Sequence, residues 1–269
     1  MTRLIQKSVN VSKRIFFRME KWLYYNGWLE PSRLVLPDFL CIGSQKAGTT
    51  WLYENLRQHP DLFLPDRKEL NYFSSKYRFF GMPLSAYSHY FQEAKGMKGE
   101  ITPYENLPVR RIRFIKKIIP SLKLILIIRN PVDRMWASVL MYLVSAQKKQ
   151  FEDISDKEFT RMFHEPDLFS RGDYPAILKN WRSVFPENQL HICFYDDLVS
   201  HPKQFLRDIF VFLEVSTEPG WSQFPVENVF NKSPEYPCPQ HLRNYLKNMY
   251  YDSLKKLSQE FPHQTEKYS

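Results

Sequence analysis

Residues 39–51 read FLCIGSQKAGTTW, an apolar run followed by a glycine-bounded loop and then by residues that suit a helix. A short apolar run that stops at a glycine is typical of a buried parallel strand. A strand–loop–helix unit binds anions, because N–H groups of the loop and the helix N-terminus point at the ligand and the helix dipole favours negative charge. The stretch therefore predicts an α/β fold with a phosphate-binding loop.

The loop departs from a nucleotide triphosphatase loop in the position of its lysine. Gly43 and Gly48 have the glycine spacing of a Walker A loop, but Thr-Thr follows instead of Lys-Ser/Thr. The only lysine, Lys46, lies inside the loop, and the next buried strand, 122–128, ends in Arg129 rather than a metal-binding aspartate. A donor activated without metal fits these residues better. The alternative is a plain glycine turn with a solvated lysine.

Periodicity outside the loop predicts the remaining elements. We predict strands and helices in alternation, and hence a three-layer parallel β-sheet flanked by helices. Residues 61–107 are predicted to be irregular and to carry the substrate pocket, and 214–240 to form a proline-rich loop. We divide the chain into a basic helical N-terminal extension, 1–37, and a single domain, 38–269. The predicted strands are 39–42, 122–128 and 190–195, and the predicted helices are 1–30, 49–58, 108–119, 133–147, 173–185, 203–213 and 241–260.

Composition suits a single-core protein with anionic partners. The chain has 269 residues, 43% of them hydrophobic, with 38 basic and 29 acidic side chains and a net charge of +9. One basic cluster lies at 110–123, and another in 1–37, which holds seven basic residues against two acidic ones. Solvated helix faces are the alternative for each cluster. The seven basic residues of 1–37 are Arg3, Lys7, Lys13, Arg14, Arg18, Lys21 and Arg33.

The N-terminus and the cysteines bear on location. No stretch reaches the roughly 18 apolar residues of a transmembrane helix, and residues 1–17 make a poor secretion signal. Because cations and apolar residues are mixed there, we expect either weak peripheral contact with a membrane surface or a helix folded onto the domain. Three cysteines are few for a disulfide framework, which favours a reducing compartment and a cytoplasmic location.

Two motifs together resemble the PAPS-dependent sulfotransferase superfamily. Gly43–Leu52 resembles its loop for the 5′-phosphosulfate of 3′-phosphoadenylyl sulfate (PAPS), and Ile128–Arg134 (IRNPVDR) resembles its 3′-phosphate motif. Lys68-Glu69 followed by Tyr72-Phe73, and Glu100-Ile101-Thr102-Pro103, resemble segments of the heparan sulfate branch. The resemblance covers about 39–245. It implies a P-loop NTPase-like sulfotransferase fold, PAPS as the donor, adenosine 3′,5′-bisphosphate (PAP) as the product and no required metal.

The resemblance also implies residue roles. Lys46 would contact the oxygen that bridges phosphate and sulfate, and the amides and hydroxyls of 47–50 would hold the phosphosulfate. Arg129 would bind the 3′-phosphate, Tyr195 would lie near the adenine, and Glu69 would be the general base. Lys46 and Glu69 are thus the predicted catalytic residues. The predicted nucleotide site consists of Gln45, Lys46, Ala47, Gly48, Thr49, Thr50, Trp51, Arg129, Ser138 and Tyr195.

The chain departs from the family pattern at three places. The serine eight residues after the arginine of the 3′-phosphate motif is Ala137 here, and the adjacent Ser138 is our substitute. The histidine that often follows the base is Asn71, and the lysine of Glu-Lys-Thr-Pro is Ile101. The last two changes alter the acceptor side, so we expect an acceptor unlike heparan sulfate.

Single residues leave alternatives open. Glu69 could instead form a surface ion pair with Arg67 or Lys68, and His89 is the reserve base. Arg129 could pair with a nearby acid such as Asp133. For Glu100 the alternatives are to orient Lys46, to orient the acceptor, or to tie its loop to the core.

The function predicted is transfer of a sulfuryl group from PAPS to a hydroxyl or amine of a small metabolite or glycan. One alternative is a metal-dependent P-loop kinase or NTPase. The other is a non-catalytic protein that binds nucleic acid or membrane through its basic clusters; we expect no nucleic-acid partner. The sequence leaves the oligomeric state open.

Overall fold

The computed structural model describes residues 2–268, with side chains from Ser12 to Tyr268. The side chains of Arg3 and Lys7, two members of the predicted basic cluster, lie outside the described residues. Five parallel strands form one sheet in the order β2-β3-β1-β4-β5. The strands are β1 (Phe39–Gly43), β2 (Leu62–Phe63), β3 (Met97–Ile101), β4 (Lys123–Ile128) and β5 (Leu190–Phe194).

Helices flank the sheet on both faces. Short 3₁₀ turns and one π-helical turn, Met141–Ala146, join some of them. The α-helices are α1 (Thr2–Tyr25), α2 (Thr49–Leu56), α3 (Lys76–Gly81), α4 (Leu84–Ser88), α5 (Val109–Ile118), α6 (Pro131–Leu140), α7 (Asp156–Phe163), α8 (Pro166–Ser170), α9 (Tyr174–Arg182), α10 (Tyr195–Ser200), α11 (Pro202–Leu213), α12 (Gln240–Met249), α13 (Tyr251–Glu260) and α14 (Pro262–Thr265).

The central strands are buried on both faces, which gives the three predicted layers. Leu40 and Ile42 of β1 point into a core that includes residues of α5 and α9. Phe39 and Cys41 point into a second core with residues of α2 and α11. Because alternate side chains of a strand face opposite sides, continuous apolar runs are what such strands require.

The order of the strands positions a crevice. From β1 the chain builds β2 and β3 on one side and then crosses to place β4 on the other. Ligands of open α/β sheets bind outside the carboxyl ends of the strands at such a switch point. Here those ends are Gly43 of β1 and Arg129, directly after β4.

The three predicted strands are confirmed, and two others were missed. β2 and β3 lie inside 61–107, which the sequence pattern marked as irregular. β2 has two residues, too few for a pattern. β3 reads MKGEI, in which Lys98 and Glu100 break the apolar run, although Glu100 is only 2% exposed.

Two predicted helices differ from the structure. The closing helix 241–260 is two helices, α12 and α13, which meet at Tyr250. The helix predicted over 133–147 begins at Pro131 and passes into the π-helical turn at Met141.

The N-terminal helix packs on the domain. Lys21 Nζ donates to the carbonyl oxygen of Met82, and the Leu84 amide donates to the Glu20 carboxylate at 3.2 Å. Tyr24 packs against the core that contains α5. Over the described residues, no helix combines the length and the apolar character needed to cross a membrane.

Candidate active site

A cleft of about 700 Å³ opens at the carboxyl edge of β1 and β4. Its wall includes every residue predicted for the nucleotide site except Ala47 and Ser138, and it also includes Glu69. The structure therefore brings the loop after β1, Arg129 after β4 and Tyr195 after β5 into one cavity.

The loop after β1 ends at a glycine in a left-handed conformation. Gly48 has φ +85°, and a Cβ there would lie 2.7 Å from Leu198 Cδ1. Both the left-handed backbone and the close contact therefore favour glycine at this position. Gly48 immediately precedes α2, whose first N–H groups have no partner within the helix. These amides are available to a phosphate or sulfate oxygen.

Lys46 and Arg129 lie together at the cleft. Arg129 Nη1 donates to the Lys46 carbonyl oxygen at 2.7 Å. Burial, together with the neighbouring Arg129 charge, lowers the pKa of Lys46. In the described part of the chain no carboxylate pairs with either cation; Asp133, the alternative partner of Arg129, pairs with Arg243 at 2.7 Å instead. Two adjacent cations without a counterion make a site for an anion that carries more than one charge.

The Arg129 guanidinium also faces an aromatic ring. Its central carbon lies 4.5 Å from the centroid of the Tyr195 ring. Such a cation–π contact holds the guanidinium plane while its N–H groups remain free to donate. Tyr195 thus orients Arg129, in addition to lining the cleft.

A buried tyrosine joins the two nucleotide motifs. The Tyr174 hydroxyl lies 3.0 Å from Ser44 Oγ and accepts from the Arg129 amide at 3.2 Å. Ser44 Oγ in turn bonds the Ile127 carbonyl oxygen at 2.8 Å. From the sequence alone, no role was predicted for Tyr174.

A second support, Glu105, was not found from the sequence. Its side chain is fully buried, and Oε1 accepts from the Gln45 amide at 3.2 Å and from Arg171 Nη1 at 2.9 Å. A Cβ on Gly43 would lie 2.5 Å from Glu105 Oε2, so the carboxylate needs the glycine. The Arg171–Glu105 pair therefore holds the start of the loop. The proximity of Glu105 to the Glu100-Ile101-Thr102-Pro103 motif was the only available signal.

Glu69 lies on the cleft wall and pairs with its neighbour. Lys68 Nζ is 2.8 Å from Glu69 Oε1 and 3.5 Å from Thr49 Oγ1. The foreseen ion pair is therefore present, but inside the cleft. The Glu69 side chain is 43% exposed, so the carboxylate is half-buried and reaches the cleft. Lys68 links the predicted base to the phosphate loop.

Of the three alternatives for Glu100, the structure shows the one in which it ties its loop to the core. Its carboxylate accepts hydrogen bonds from the hydroxyls of Tyr87, Thr102 and Tyr104. Burial raises the pKa of Glu100 above its usual value. The contacts connect β3 to the segment after it and to α4, and none of them reaches Lys46.

Three predicted residues do not line the cleft. Ala47 is fully buried, and its amide donates to the Ser44 carbonyl oxygen at 3.2 Å. Ser138 is fully buried, and its hydroxyl accepts from Arg134 Nη1 at 3.2 Å. The substitute for the missing serine is thus misplaced, because α6 turns this position toward the core. His89, the reserve base, is exposed, bonds Gln92 at 2.9 Å and is not on the wall.

The proline-rich loop 214–240, called the late loop from here on, forms the far wall of the cleft. Residues 226–234 line it, and Asn231 Nδ2 donates to Thr50 Oγ1 at 3.0 Å. Trp51 Nε1 donates to the Val226 carbonyl oxygen at 3.0 Å. Lys232 lies in this wall and pairs with Glu235. The sequence marked this loop as proline-rich and left two alternatives for Lys232, to close over the phosphates or to be solvated.

Within residues 2–268, no group of three or more His, Cys, Asp or Glu side chains is arranged to hold a metal ion.

Comparison with known proteins adds a family match. The model of the sulfotransferase domain family matches residues 36–267. Membrane-associated sulfotransferase kil1 of Dictyostelium discoideum is 23% identical, over 85% of this chain and 66% of that protein. Human carbohydrate sulfotransferase 15 is 24% identical, over 67% and 44%. Mouse heparan sulfate glucosamine 3-O-sulfotransferase 5 is 27% identical, over 76% and 59%. The chain thus spans less than two thirds of the length of these relatives.

Solved structures show the same fold. A sulfotransferase from Alicyclobacillus acidocaldarius superposes with a TM-score of 0.67 at 23% identity, over 87% of this chain and 98% of that chain. A mouse sulfotransferase complexed with PAP gives a TM-score of 0.54 at 14% identity, over 87% and 89%. Together with the parallel sheet, these likenesses confirm the predicted fold.

Proposed function

The chain belongs to the sulfotransferase domain family, and on that premise we propose that it transfers a sulfuryl group from PAPS to a hydroxyl or amine of an acceptor, releasing PAP. The observation that carries the proposal is the pair of adjacent, unneutralised cations, Lys46 and Arg129, beside an α-helix N-terminus. This arrangement fits a ligand with anionic groups at two positions, as a nucleotide with a 5′-phosphosulfate and a 3′-phosphate has.

Within this proposal the donor is held by backbone and side chains together. Amides of 48–50 and the hydroxyls of Thr49 and Thr50 bind the phosphosulfate, and Arg129 binds the 3′-phosphate. Gln45 in the loop and Trp51 in α2 line the same wall. Tyr195 and the late loop bound the region left for the adenine.

Lys46 stabilises the leaving group. In sulfuryl transfer the acceptor atom forms a bond to sulfur, while the bond between sulfur and the bridging oxygen breaks. Negative charge develops on that oxygen, and a fixed ammonium group beside it lowers the barrier. The Arg129–Lys46 hydrogen bond keeps the lysine backbone in place.

Glu69 receives the acceptor proton. An ionised carboxylate on the cleft wall takes the proton as the acceptor oxygen or nitrogen bonds to sulfur. Lys68, between Glu69 and Thr49, holds this carboxylate beside the phosphate loop.

Two residues on the predicted acceptor side, Ile101 and Asn71, bear on the acceptor, which we propose is a small metabolite or a glycan. Ile101, where the heparan branch has lysine, is 2% exposed and packs in the core. Asn71, at the family histidine position, bonds the Glu69 carbonyl oxygen at 2.9 Å and Ser74 at 3.0 Å. Neither residue supplies the acceptor contact of that branch, although the relatives named above include carbohydrate sulfotransferases.

Two experiments test the proposal in sequence. Thermal shift with PAP and with ATP plus Mg²⁺ tests the nucleotide, and stronger stabilisation by ATP would favour the kinase or NTPase alternative. Incubation with sulfur-labelled PAPS and a panel of sugars, phenols and amines then tests transfer. PAP binding without label transfer to any acceptor or to water would leave a nucleotide-binding protein and contradict the enzymatic function.

A further inference from the structure

The outward side of α1 carries large apolar side chains. Ile15, Phe16, Met19 and Trp22 are 52–62% exposed, and Trp28 just beyond the helix is 74% exposed. Positions 15, 19 and 22 follow the spacing of one helix face. We call these five residues the outer α1 face. Single exposed apolar residues are ordinary, but a contiguous set of this size marks an interaction surface.

This face remains after the helix has docked on its own domain. The opposite side of α1 is fixed by Lys21, 5% exposed and bonded to Met82, and by Glu20, bonded to the Leu84 amide. Arg18 lies over the Phe80 ring at 4.9 Å. Folding of α1 onto the domain therefore uses one side of the helix and leaves the other apolar.

Positive charge is concentrated beside this face. On the adjacent α5, Arg110, Arg113 and Lys117 are exposed and recur at helical spacing, and a Cβ on Gly27 would lie 3.8 Å from Lys117 Nζ. Residues 1–37 hold seven basic and two acidic side chains, and 109–118 hold five basic and none acidic. Each segment has a net charge of +5, and together they exceed the net charge of +9 of the whole chain. The remaining residues therefore carry no net positive charge.

We propose that the outer α1 face lies on an anionic lipid bilayer, with the α5 cations beside the headgroups. Apolar residues of an interfacial helix enter the boundary between headgroups and acyl chains, where tryptophan is favoured. Lysine and arginine next to such a helix are attracted by the negative surface potential. A second copy of the chain fits this surface less well, because it would bring the same cations into the contact.

Co-sedimentation of the full chain with vesicles tests the proposal. We expect binding to phosphatidylcholine–phosphatidylserine vesicles, little binding to phosphatidylcholine alone, and loss of binding as salt rises. The variant R110Q/R113Q/K117Q should bind the mixed vesicles at least about tenfold more weakly, since each cation near an anionic surface contributes about a factor of five. Equal binding to both vesicles, or no binding, would overturn the proposal.

A second variant separates the apolar contribution. I15S/M19S/W22S should lose vesicle binding, whereas V211S/Y251S, which removes apolar side chains that are each 64% exposed elsewhere, should not. The PAP thermal shift of every variant should equal that of the parent, which shows folding and separates this test from the proposed function. A concentration-dependent dimer that I15S/M19S/W22S abolishes, without vesicle binding by the parent, would assign the face to a second copy and refute the bilayer.

Discussion

Arg129 donates a hydrogen bond to the backbone carbonyl oxygen of Lys46 at 2.7 Å, and so ties the residue after β4 to the loop after β1. A guanidinium can do this while keeping further N–H donors for a ligand. The guanidinium and the backbone that carries the Lys46 side chain are therefore held together before any anion arrives. Preorganised charges of this kind produce a large rate enhancement, because the site need not rearrange during the reaction.

Replacing Lys46 should slow chemistry more than binding. We expect K46A to lower kcat by roughly 10²–10³, the usual cost of removing one donor from a developing negative charge. K46R should retain part of the rate because it retains the charge. Initial rates with saturating PAPS measure this, with the exposed-lysine variant K203A as control. Near-normal kcat in K46A would remove Lys46 from the mechanism.

PAP affinity should depend on the protonation of Lys46. Burial and Arg129 lower the pKa of this lysine, so it loses its proton at a lower pH than a free lysine does. Anion binding favours the charged form, so affinity should fall as pH rises through that lowered pKa. K46R should show a flat profile over the same range. Calorimetric titration with PAP across alkaline pH measures this, and identical profiles for the two proteins would contradict it.

The same burial has a consequence for stability. Below its lowered pKa, Lys46 is charged at a desolvation cost in the folded chain that the unfolded chain does not bear. The ligand-free variant K46M should therefore melt above the parent at neutral pH, and the difference should shrink as pH rises through that pKa. Thermal unfolding without nucleotide measures it. A lower melting temperature for K46M would show that the lysine stabilises the fold.

Replacing Glu69 should separate catalysis from nucleotide binding. E69Q keeps the shape but cannot take a proton, so kcat should fall by roughly 10²–10⁴. PAP affinity should stay near that of the parent. The control D66N alters a nearby carboxylate that is 99% exposed and should keep the parent rate. If E69Q were as active as D66N, another group would be the base.

Replacing Arg129 should act through the 3′-phosphate. R129A removes charge-assisted hydrogen bonds worth about 1.5–3 kcal/mol, so PAP should bind about 10- to 150-fold more weakly. Adenosine 5′-phosphosulfate, which lacks the 3′-phosphate, is the control ligand. Its affinity should differ much less between R129A and the parent. A matched loss for both ligands would place Arg129 at the 5′ end.

Breaking the Arg171–Glu105 pair should destabilise the fold. R171M leaves a buried carboxylate without its cation, which costs about 3–5 kcal/mol. The double variant E105Q/R171M should recover part of the loss because no charge is then left buried. Urea unfolding measures each. The exposed pair Arg207–Glu218 supplies the control R207M, for which about 1 kcal/mol or less is expected.

Sequence reasoning reached the parts of this protein that repeat a local pattern. β1, β4 and β5 are apolar runs, and the loop after β1 is marked by its glycines, so these elements and Lys46 could be located. β3 could not be located, because Glu100 breaks its apolar run. Glu100 is buried there because the hydroxyls of Tyr87, Thr102 and Tyr104 donate hydrogen bonds to its carboxylate, and no local pattern indicates those contacts.

Contacts between residues far apart in the sequence could not be predicted either. Nothing local indicates that Glu105 meets Arg171 or that Tyr174 meets Ser44, because these pairs depend on how α9 and the segment before it pack. Ser138 shows the converse error. One residue of helix rotation decides whether a side chain faces a ligand or the core, and a family spacing alone does not determine it.

The contact between Asn231 and Thr50 has a practical consequence. It couples a surface loop to the phosphate loop, and Val229, two residues away, is 76% exposed. Cys41 and Cys193 are buried and Cys238 is half-buried, so a thiol introduced at 229 would be the readily labelled one. A fluorophore at that position becomes a reporter of occupancy. Candidate acceptors could then be screened by fluorescence, before any sulfated product has been identified.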